Sequence, residues 1–379
     1  MSLLSRLRRL VQPTPRAGLS APALAQTIDF NDSAIAADPF PYWEALRDQG
    51  PVHFLPRTGG WLVLGYDEVK EAFGRPDVFS NAPYRDVDAV LLGEDPPRQP
   101  IVRRLVTKHF TAEALQRLEE TAARTARAAV MPRFDAVRGF SQPVARRVAG
   151  ELAGFDAETF ALIEAAVDAA STGPAASMIA ALDAFTTRAG VYQDLLRDGE
   201  GVISEAEARS LVRLLWLAAH TTTERVIARC IMRLLFDSSL QRTIRAERTL
   251  LTPFIEEVMR LHAPEQVLPR LTVAEAHLGG HVIPPGSAVF LCVGAANRDP
   301  AHFEAPAELR LGRAAKRHFE FGYGIHHCVG APLARRVLKI ALETLLDSAA
   351  ELRPGEPFES IPMFATLSAL APTRLMVET

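Results

Sequence analysis

The stretch that most constrains the fold of this chain is a long apolar run near its middle, LVRLLWLAAHTTTERVIARCIMRLLF. A helix drawn through this run is too apolar to be a surface element. Ser204 lies shortly before it, and serine is a favoured residue at the start of a helix. We therefore expect a buried central helix that begins near Ser204.

The rest of the chain predicts a mainly α fold with a minor β part. Asp38 as N-cap and Pro39 at the first helical position predict a helix that ends at Gly50. The segments PVHFLP and GWLVLGY predict paired strands, while residues 112–170 predict several packed helices. Short strands are expected at HVIPPG and SAVFLCV, and a buried helix after Cys328. Alternating βαβ units are not evident, which argues against a doubly wound sheet.

Composition limits the domain organisation and the partners. The 379 residues are 48% hydrophobic, ample for a large core, and we expect a single domain at residues 29–379. Residues 1–28 are basic and are expected to form a disordered N-terminal arm. The formal net charge of −3 gives no global electrostatic reason to expect nucleic acid.

Cysteine usage and hydropathy indicate the compartment. The chain has three cysteines, Cys230, Cys292 and Cys328. This small, odd number does not indicate a disulfide framework. A reducing compartment such as the cytoplasm fits this usage best. No run of about 18 apolar residues occurs, so no membrane span is predicted.

The segment FGYGIHHCVG, residues 321–330, carries the clearest chemical signal. Gly322, Gly324 and Gly330 allow sharp turns and a close approach to a flat ligand. Cys328 precedes a helix, whose positive end favours a thiolate that serves as metal ligand or nucleophile. From the residues alone three alternatives stay open. These are a buried structural cysteine, a zinc site with His326 and His327, and a nucleophilic Cys–His pair.

This segment resembles the haem-thiolate signature of the cytochrome P450 family. The matching positions are Phe321, Gly322, Gly324, His326, Cys328 and Gly330. The resemblance implies a haem b cofactor, with Cys328 as the axial iron ligand and His326 in contact with a haem propionate. A thiolate ligand pushes electron density onto the iron and favours O–O cleavage.

Further segments resemble the same family. Glu257 and Arg260 match its structural Glu-x-x-Arg pair, which would brace the core behind the haem. Arg270 and Arg103 match arginines that contact propionates in the family. Gln99 stands where the family usually has a histidine, and its amide can still donate a hydrogen bond. The resemblance runs from about residue 38 to the C-terminus.

The central helix departs from the family pattern Ala/Gly-Gly-x-Asp/Glu-Thr. Here it reads Ala218-Ala219-His220-Thr221-Thr222. The resemblance places Ala218 and Ala219 against the haem and makes Thr222 the alcohol, while Thr221 replaces the acid. Proton delivery by a carboxylate at this position is therefore not expected, and loose coupling of NAD(P)H use to product is predicted with poorly matched substrates. His220 and Glu224 point away from Thr222, so neither is expected to relay protons to it directly.

The resemblance also indicates which residues face the substrate. They are mainly apolar, which predicts a small hydrophobic organic substrate. The expected pocket residues are Leu214, Leu217, Ala218, Gln266, Val267, Leu268 and Thr366.

A basic face is expected around the cysteine loop, suited to an acidic electron donor such as a ferredoxin served by an NAD(P)H-dependent reductase. Its residues are Arg103, Arg104, Lys108, Arg313, Lys316, Arg317, Arg335, Arg336 and Lys339. A solvated basic face without a partner is the alternative. No flavin or iron–sulfur domain is recognisable in the chain, so the electrons are expected from outside.

The sequence thus predicts a haem-thiolate monooxygenase that inserts one oxygen atom of O2 into an apolar substrate, by hydroxylation or oxidative dealkylation. The same residues are also compatible with two alternative functions. One is a peroxide-using peroxygenase or an unusual oxidative cyclase. The other is a non-catalytic haem sensor or binding protein.

Overall fold

The computed structural model describes residues 24–26, 28, 33–87, 90–170, 180, 182–314, 317–366 and 369–379. Its α-helices confirm a mainly helical fold. In chain order they are α1 (Ser33–Ala37), α2 (Phe40–Arg47), α3 (Tyr66–Gly74), α4 (Gln99–Thr107), α5 (Ala112–Ala129), α6 (Gln142–Ala153), α7 (Ala157–Ala170), α8 (Gly190–Asp198), α9 (Glu205–Leu235), α10 (Ser238–Ala246), α11 (Leu251–Leu261), α12 (Val293–Ala296) and α13 (Ala331–Ser348).

The helix α9 is the predicted central helix, and its start is fixed by its own sequence. The Ser204 hydroxyl accepts a hydrogen bond from the Glu207 N–H, while the Glu207 carboxylate accepts one from the Ser204 N–H. Two backbone donors that a helix start leaves unpaired are thereby satisfied. The prediction of a start near Ser204 is confirmed, and most of the helix is buried.

The β part consists of short strands. They are β1 (Val52–Leu55), β2 (Gly60–Val63), β3 (Phe79–Ser80), β4 (Arg133–Asp135), β5 (Leu268–Thr272), β6 (Ala276–Leu278), β7 (His281–Ile283), β8 (Ala288–Leu291), β9 (Arg353–Pro354), β10 (Met363–Ala365), β11 (Leu370–Pro372) and β12 (Met376–Glu378). The largest sheet has the order β1-β2-β8-β5-β3, in which β2 and β8 are parallel and the other pairs are antiparallel. Its β1–β2 hairpin confirms the predicted strand pair.

Apolar side chains divide into a large helical cluster and two clusters near the sheet. The helical cluster joins α5, α6 and α13 to the central helix. A second cluster joins α3 to β5 and β8, and a third joins α2 to the β1–β2 hairpin. The cysteine loop, residues 321–330, connects the first two, because Phe321 packs on the helical cluster and Tyr323 on the second.

Two predicted details of the early chain need correction or extension. The helix α2 begins at Phe40 with Pro39 at the N-cap position, so Asp38 is not its cap. Most of the predicted N-terminal arm, residues 1–28, lies outside the described residues. Of its described part, Leu24 and Ile28 are buried in the third cluster, so the packed chain reaches back at least to Leu24.

No helix formed by the described residues combines the length and the apolarity needed to cross a membrane.

Candidate functional site: the cysteine loop and the central helix

Two glycines shape the backbone of the cysteine loop. Gly322 and Gly324 have φ angles of 65° and 69°, in the left-handed region that disfavours other residues. A Cβ on Gly324 would also lie 2.7 Å from the carbonyl oxygen of Phe73. Gly330 differs, because its φ of −78° is ordinary and a Cβ there would meet Cys328 Sγ only at 3.7 Å. The predicted need for glycine therefore holds for the first two positions.

Cys328 is the exposed member of the three free cysteines, whereas Cys230 and Cys292 are buried. Desolvation by the surrounding protein raises the pKa of the Cys328 thiol. The backbone N–H groups of Gly330 and Ala331 act in the opposite direction, as expected at a helix start. The helix start alone was expected to favour the thiolate, but desolvation by the surrounding protein outweighs it. A cationic ligand at the sulfur would reverse this balance.

The geometry gives no support to the zinc alternative. Within the part of the chain that the structure describes, no group of three His, Cys, Asp or Glu side chains is arranged to hold a metal ion. A metal ion bound by this single exposed cysteine would have to bring its remaining donors with it. A metal already held in a macrocycle meets that requirement.

Gln99 and Arg103, predicted as propionate contacts, donate hydrogen bonds to the cysteine loop. Gln99 Nε2 donates to the Ile325 carbonyl at 3.0 Å. Arg103 donates through Nη1 to Ile325 O at 3.2 Å and through Nη2 to His327 O at 2.6 Å. Both side chains lie on α4 and satisfy loop carbonyls on either side of His326. Their first role is therefore to fix the position of Cys328.

Arg270 and His326 lie close enough to interact electrostatically beside the loop. Arg270 is 4% exposed and donates to the Pro269 carbonyl at 2.7 Å, with its guanidinium 5.2 Å from the ring centre of Phe73. His326 Nε2 is buried and has no hydrogen-bond partner among the described residues. Burial, followed by the charge of Arg270, lowers the pKa of His326 to about 4.

A buried cation next to an unpartnered ring nitrogen fits an anionic ligand group such as a propionate. Sequence reasoning missed Tyr84, whose hydroxyl lies close enough to the Arg270 guanidinium for the two groups to interact electrostatically. Tyr84 lies in the turn of residues 82–87, far from Arg270 in sequence, and no motif marks it.

The Glu257–Arg260 pair lies in the core, as predicted. Glu257 Oε1 accepts from Arg260 Nε at 2.7 Å and Oε2 from Arg260 Nη2 at 2.9 Å. Arg260 also donates to the carbonyls of Asn297, Pro306 and Glu308. The pair thus ties α11 to the segment that leads into the cysteine loop.

On the central helix, three successive side chains bond back to carbonyls one turn earlier. His220 Nδ1 donates to Trp216 O at 2.8 Å, and Thr221 Oγ1 donates to Leu217 O at 2.8 Å. Thr222 Oγ1 donates to Ala218 O at 2.9 Å. The proton of Thr222 is therefore engaged within the helix, and its free lone pairs can accept a hydrogen bond.

The predicted pocket residues separate into two groups. Leu214 and Leu217 are half-buried and Ala218 is exposed, so this face of the central helix borders open space. Leu268 and Thr366 are also half-buried. Gln266 and Val267 do not line an open recess, because they are 1% and 6% exposed. Val267 packs in the third cluster, and Gln266 Oε1 lies 2.5 Å from the position that a Cβ on Gly294 would take.

Two features near this pocket were not predicted. Phe364 is 44% exposed and lies 5.7 Å from the guanidinium of Arg225. Arg225 in turn forms an ion pair with Glu265 at 2.8 Å, which links the central helix to the segment before β5. Leu367, which adjoins Thr366, lies outside the described residues.

The fold is mainly helical, and one exposed cysteine lies at the end of a loop with two left-handed glycines, just before a helix. This arrangement is typical of a haem-thiolate protein. The family model for Cytochrome P450 matches residues 199–373. Cytochrome P450 109 of Bacillus spizizenii is 30% identical over 359 residues, which cover 86% of this chain and 88% of that protein.

Two further matches agree. Cytochrome P450 monooxygenase PikC of Streptomyces venezuelae is 31% identical, with coverage of 88% of this chain and 91% of that protein. The crystal structure of CYP109E1 from Bacillus megaterium in complex with corticosterone is similar with a TM-score of 0.82 at 27% identity. That match covers 90% of this chain and 98% of the other. The chain belongs to the cytochrome P450 family, whose members are haem b oxidoreductases of the monooxygenase type.

Proposed function

We propose that this protein is a haem-thiolate monooxygenase in which Cys328 is the axial ligand of the haem iron. The observation that carries the proposal is the single exposed cysteine at the end of a loop whose backbone is fixed by Gly322, Gly324 and Arg103. Bound there, the haem would supply activation of O2, which a thiolate ligand favours.

The residues beside the loop would hold the propionates. His326 offers an unpartnered ring nitrogen, and Arg270 offers a buried positive charge. Gln99 and Arg103 also support the site indirectly, because they donate hydrogen bonds to the loop carbonyls on either side of His326. An anionic group at this place would relieve the cost of the buried Arg270 charge.

The distal side would take an apolar substrate. Leu214, Leu217 and Ala218 supply an apolar wall on the central helix, with Thr222 as its hydrogen-bonding group. Phe364 and Thr366 border the same region from the chain near β10. Named relatives act on or bind apolar molecules: one is a vitamin D3 dihydroxylase, and CYP109E1 was crystallised with corticosterone and with testosterone. We propose a hydrophobic organic substrate that is hydroxylated or dealkylated.

Electrons would come from a separate ferredoxin-type protein docking near the cysteine loop. The net positive charge of the basic face there is smaller than the number of its basic residues suggested, because acidic side chains form ion pairs with several of them. The pairs are Lys108–Asp198, Arg313–Glu257, Arg335–Glu256, Arg336–Glu119 and Lys339–Glu343. Arg104 and Arg317 remain exposed without an acidic partner among the described residues, and Lys316 lies outside these. We propose these two arginines as the docking charges, and the cytoplasm as the compartment.

The test is a screen of apolar compounds for a shift of the Soret band of the haem-loaded protein, followed by product analysis. Compounds that shift the band should be oxidised when NAD(P)H, a ferredoxin and its reductase are added. Oxidation only with added peroxide would point to a peroxygenase instead. Binding without turnover under either condition would point to a sensor and contradict the proposal.

A further inference from the structure

Three arginines follow one another at intervals of four residues along the second half of the central helix. They are Arg225, Arg229 and Arg233, and this spacing places them on one face of the helix. Arg225 forms an ion pair with Glu265 at 2.8 Å. Like charges four residues apart repel each other, so the other two arginines need compensation of their own.

Arg229 and Arg233 are both buried, with an exposure of 5% each. Arg229 donates through Nε and Nη2 to the Leu370 carbonyl oxygen, at 3.2 and 3.0 Å. Arg233 Nε is buried and has no hydrogen-bond partner among the described residues. Neither arginine forms an ion pair with another residue that the structure describes. Their charges are therefore buried without a counter-ion from this part of the chain.

The chain at the end of α11 brings two more groups to this face of the central helix. Arg225 Nη1 lies 3.4 Å from the Pro264 carbonyl oxygen, so the segment after α11 runs alongside the arginines. His262 directly follows α11, and its Nδ1 is buried without a hydrogen-bond partner among the described residues. Arg298 donates through Nε and Nη2 to the Leu261 carbonyl oxygen, at 3.2 and 2.7 Å. We define the arginine cluster as Arg229, Arg233, His262 and Arg298.

The charges in the arginine cluster act on one another. Burial, followed by the charge of Arg233, lowers the pKa of Arg229 to about 10. Desolvation lowers the pKa of Arg298 to about 9, so both groups stay charged at pH 7. Desolvation and the neighbouring arginine charges hold the pKa of His262 well below its ordinary value. Carboxylates offset part of the charge at Arg233 and Arg298, whereas that of Arg229 has no such compensation among the described residues.

We propose that the arginine cluster binds a small monovalent inorganic anion such as chloride, with Arg233 Nε and His262 Nδ1 as its hydrogen-bond donors. A buried donor without an acceptor indicates a missing acceptor, and a buried excess of positive charge indicates a missing counter-ion. An anion meets both needs. A water molecule would satisfy the donors but leave the charge uncompensated.

The free donors favour a spherical anion over a carboxylate. The paired N–H groups of Arg229 and Arg298, which suit a planar carboxylate, already donate to the carbonyls of Leu370 and Leu261. Arg233 and His262 each offer a single nitrogen, and a spherical ion accepts hydrogen bonds from separate directions. Bound there, the ion would join the central helix to the end of α11 and thereby stabilise the fold.

The first test is crystallography with bromide, whose anomalous scattering distinguishes it from water. Crystals of the haem-loaded protein soaked in sodium bromide should show an anomalous peak in contact with Arg233 Nε and His262 Nδ1. The peak should be absent in Arg233→Met. It should persist in the control Arg242→Met, which removes an exposed arginine from the neighbouring helix α10. Density for water alone at the cluster, without an anomalous signal, would overturn the inference.

Thermal unfolding of the haem-loaded protein supplies a second readout, in sodium chloride and in sodium gluconate at equal ionic strength. Chloride should raise the unfolding temperature of the native protein and of Arg242→Met, and the rise should level off as the site fills. At ten times its dissociation constant, a bound ion favours the folded state about elevenfold. Gluconate, a bulky carboxylate, should give no such rise.

The variant separates a binding role from a packing role. Arg233→Met should lack the chloride effect, and in gluconate it should be no less stable than the native protein, because an uncompensated buried charge has been removed. An Arg233 that only packs would cost the variant the same stability in both salts. Equal unfolding temperatures of the native protein in chloride and gluconate would contradict the inference, even if the variant failed to fold.

Discussion

The ion-pair network at Glu257 allows a stability change to be worked out from the structure. Its carboxylate accepts four hydrogen bonds. Three come from guanidinium nitrogens, two on Arg260 and one on Arg313, and the fourth from the Arg310 N–H. The side chains of Arg260, Glu257 and Arg313 are 1%, 7% and 11% exposed. Glu257→Ala would leave two nearly buried guanidinium groups without their counter-ion.

Removing one partner of a buried ion pair costs about 3–5 kcal/mol. The total unfolding free energy of a domain is about 5–15 kcal/mol, so about a fifth of it or more would be lost. The matched control is Glu71→Ala, which breaks the exposed pair Glu71–Arg75. An exposed i,i+4 pair contributes only about 0.3–0.5 kcal/mol.

The assay is urea unfolding of the haem-loaded variants. The urea concentrations at half-unfolding are compared between variants whose unfolding free energy has the same dependence on urea concentration. Burial alone would raise the pKa of Glu257, but its hydrogen bonds from the arginines lower it overall. A lowered carboxyl pKa gives stability that is complete above the unfolded value of about 4.3 and is lost as the pH falls through the folded value. The gap between native protein and Glu257→Ala should therefore narrow below about pH 4.3. A loss no larger than that of Glu71→Ala would refute the bracing role.

Further substitutions test the loop and the distal helix. His326→Ala and Arg270→Ala should each lower the haem content of purified protein, because each leaves a propionate charge less well paired. Arg103→Ala should do so by freeing the loop carbonyls, whereas Gln99→His, which keeps a ring N–H donor, should retain haem. Haem content unaffected by all three alanine changes would contradict this assignment. Thr222→Ala should release more hydrogen peroxide per NAD(P)H, and an unchanged peroxide yield would show that its hydroxyl is not used.

Local chemistry made parts of the fold predictable. The central helix could be placed because Ser204 and Glu207 form a capping box within four residues. The cysteine loop could be recognised because its glycines and Cys328 occur within ten residues. The start of α2 was misplaced by one residue, since Asp38 and Pro39 are both favoured near helix starts and neighbouring structure decides between them.

Contacts between distant segments could not be read in the same way. Arg103 was matched to a propionate, but its hydrogen bonds reach residues more than 200 positions away. Gln266 was expected in the pocket, yet its side chain is buried against Gly294, where a Cβ would leave no room for it.

The most direct test of the central claim is the absorption spectrum of the reduced, CO-bound protein. Thiolate ligation gives a red-shifted Soret band, which we expect in the native chain and in the control Cys292→Ala, whose cysteine is buried away from the loop. Cys328→Ala should abolish that band. A red-shifted band that persists in Cys328→Ala would contradict the assignment of Cys328 as the iron ligand.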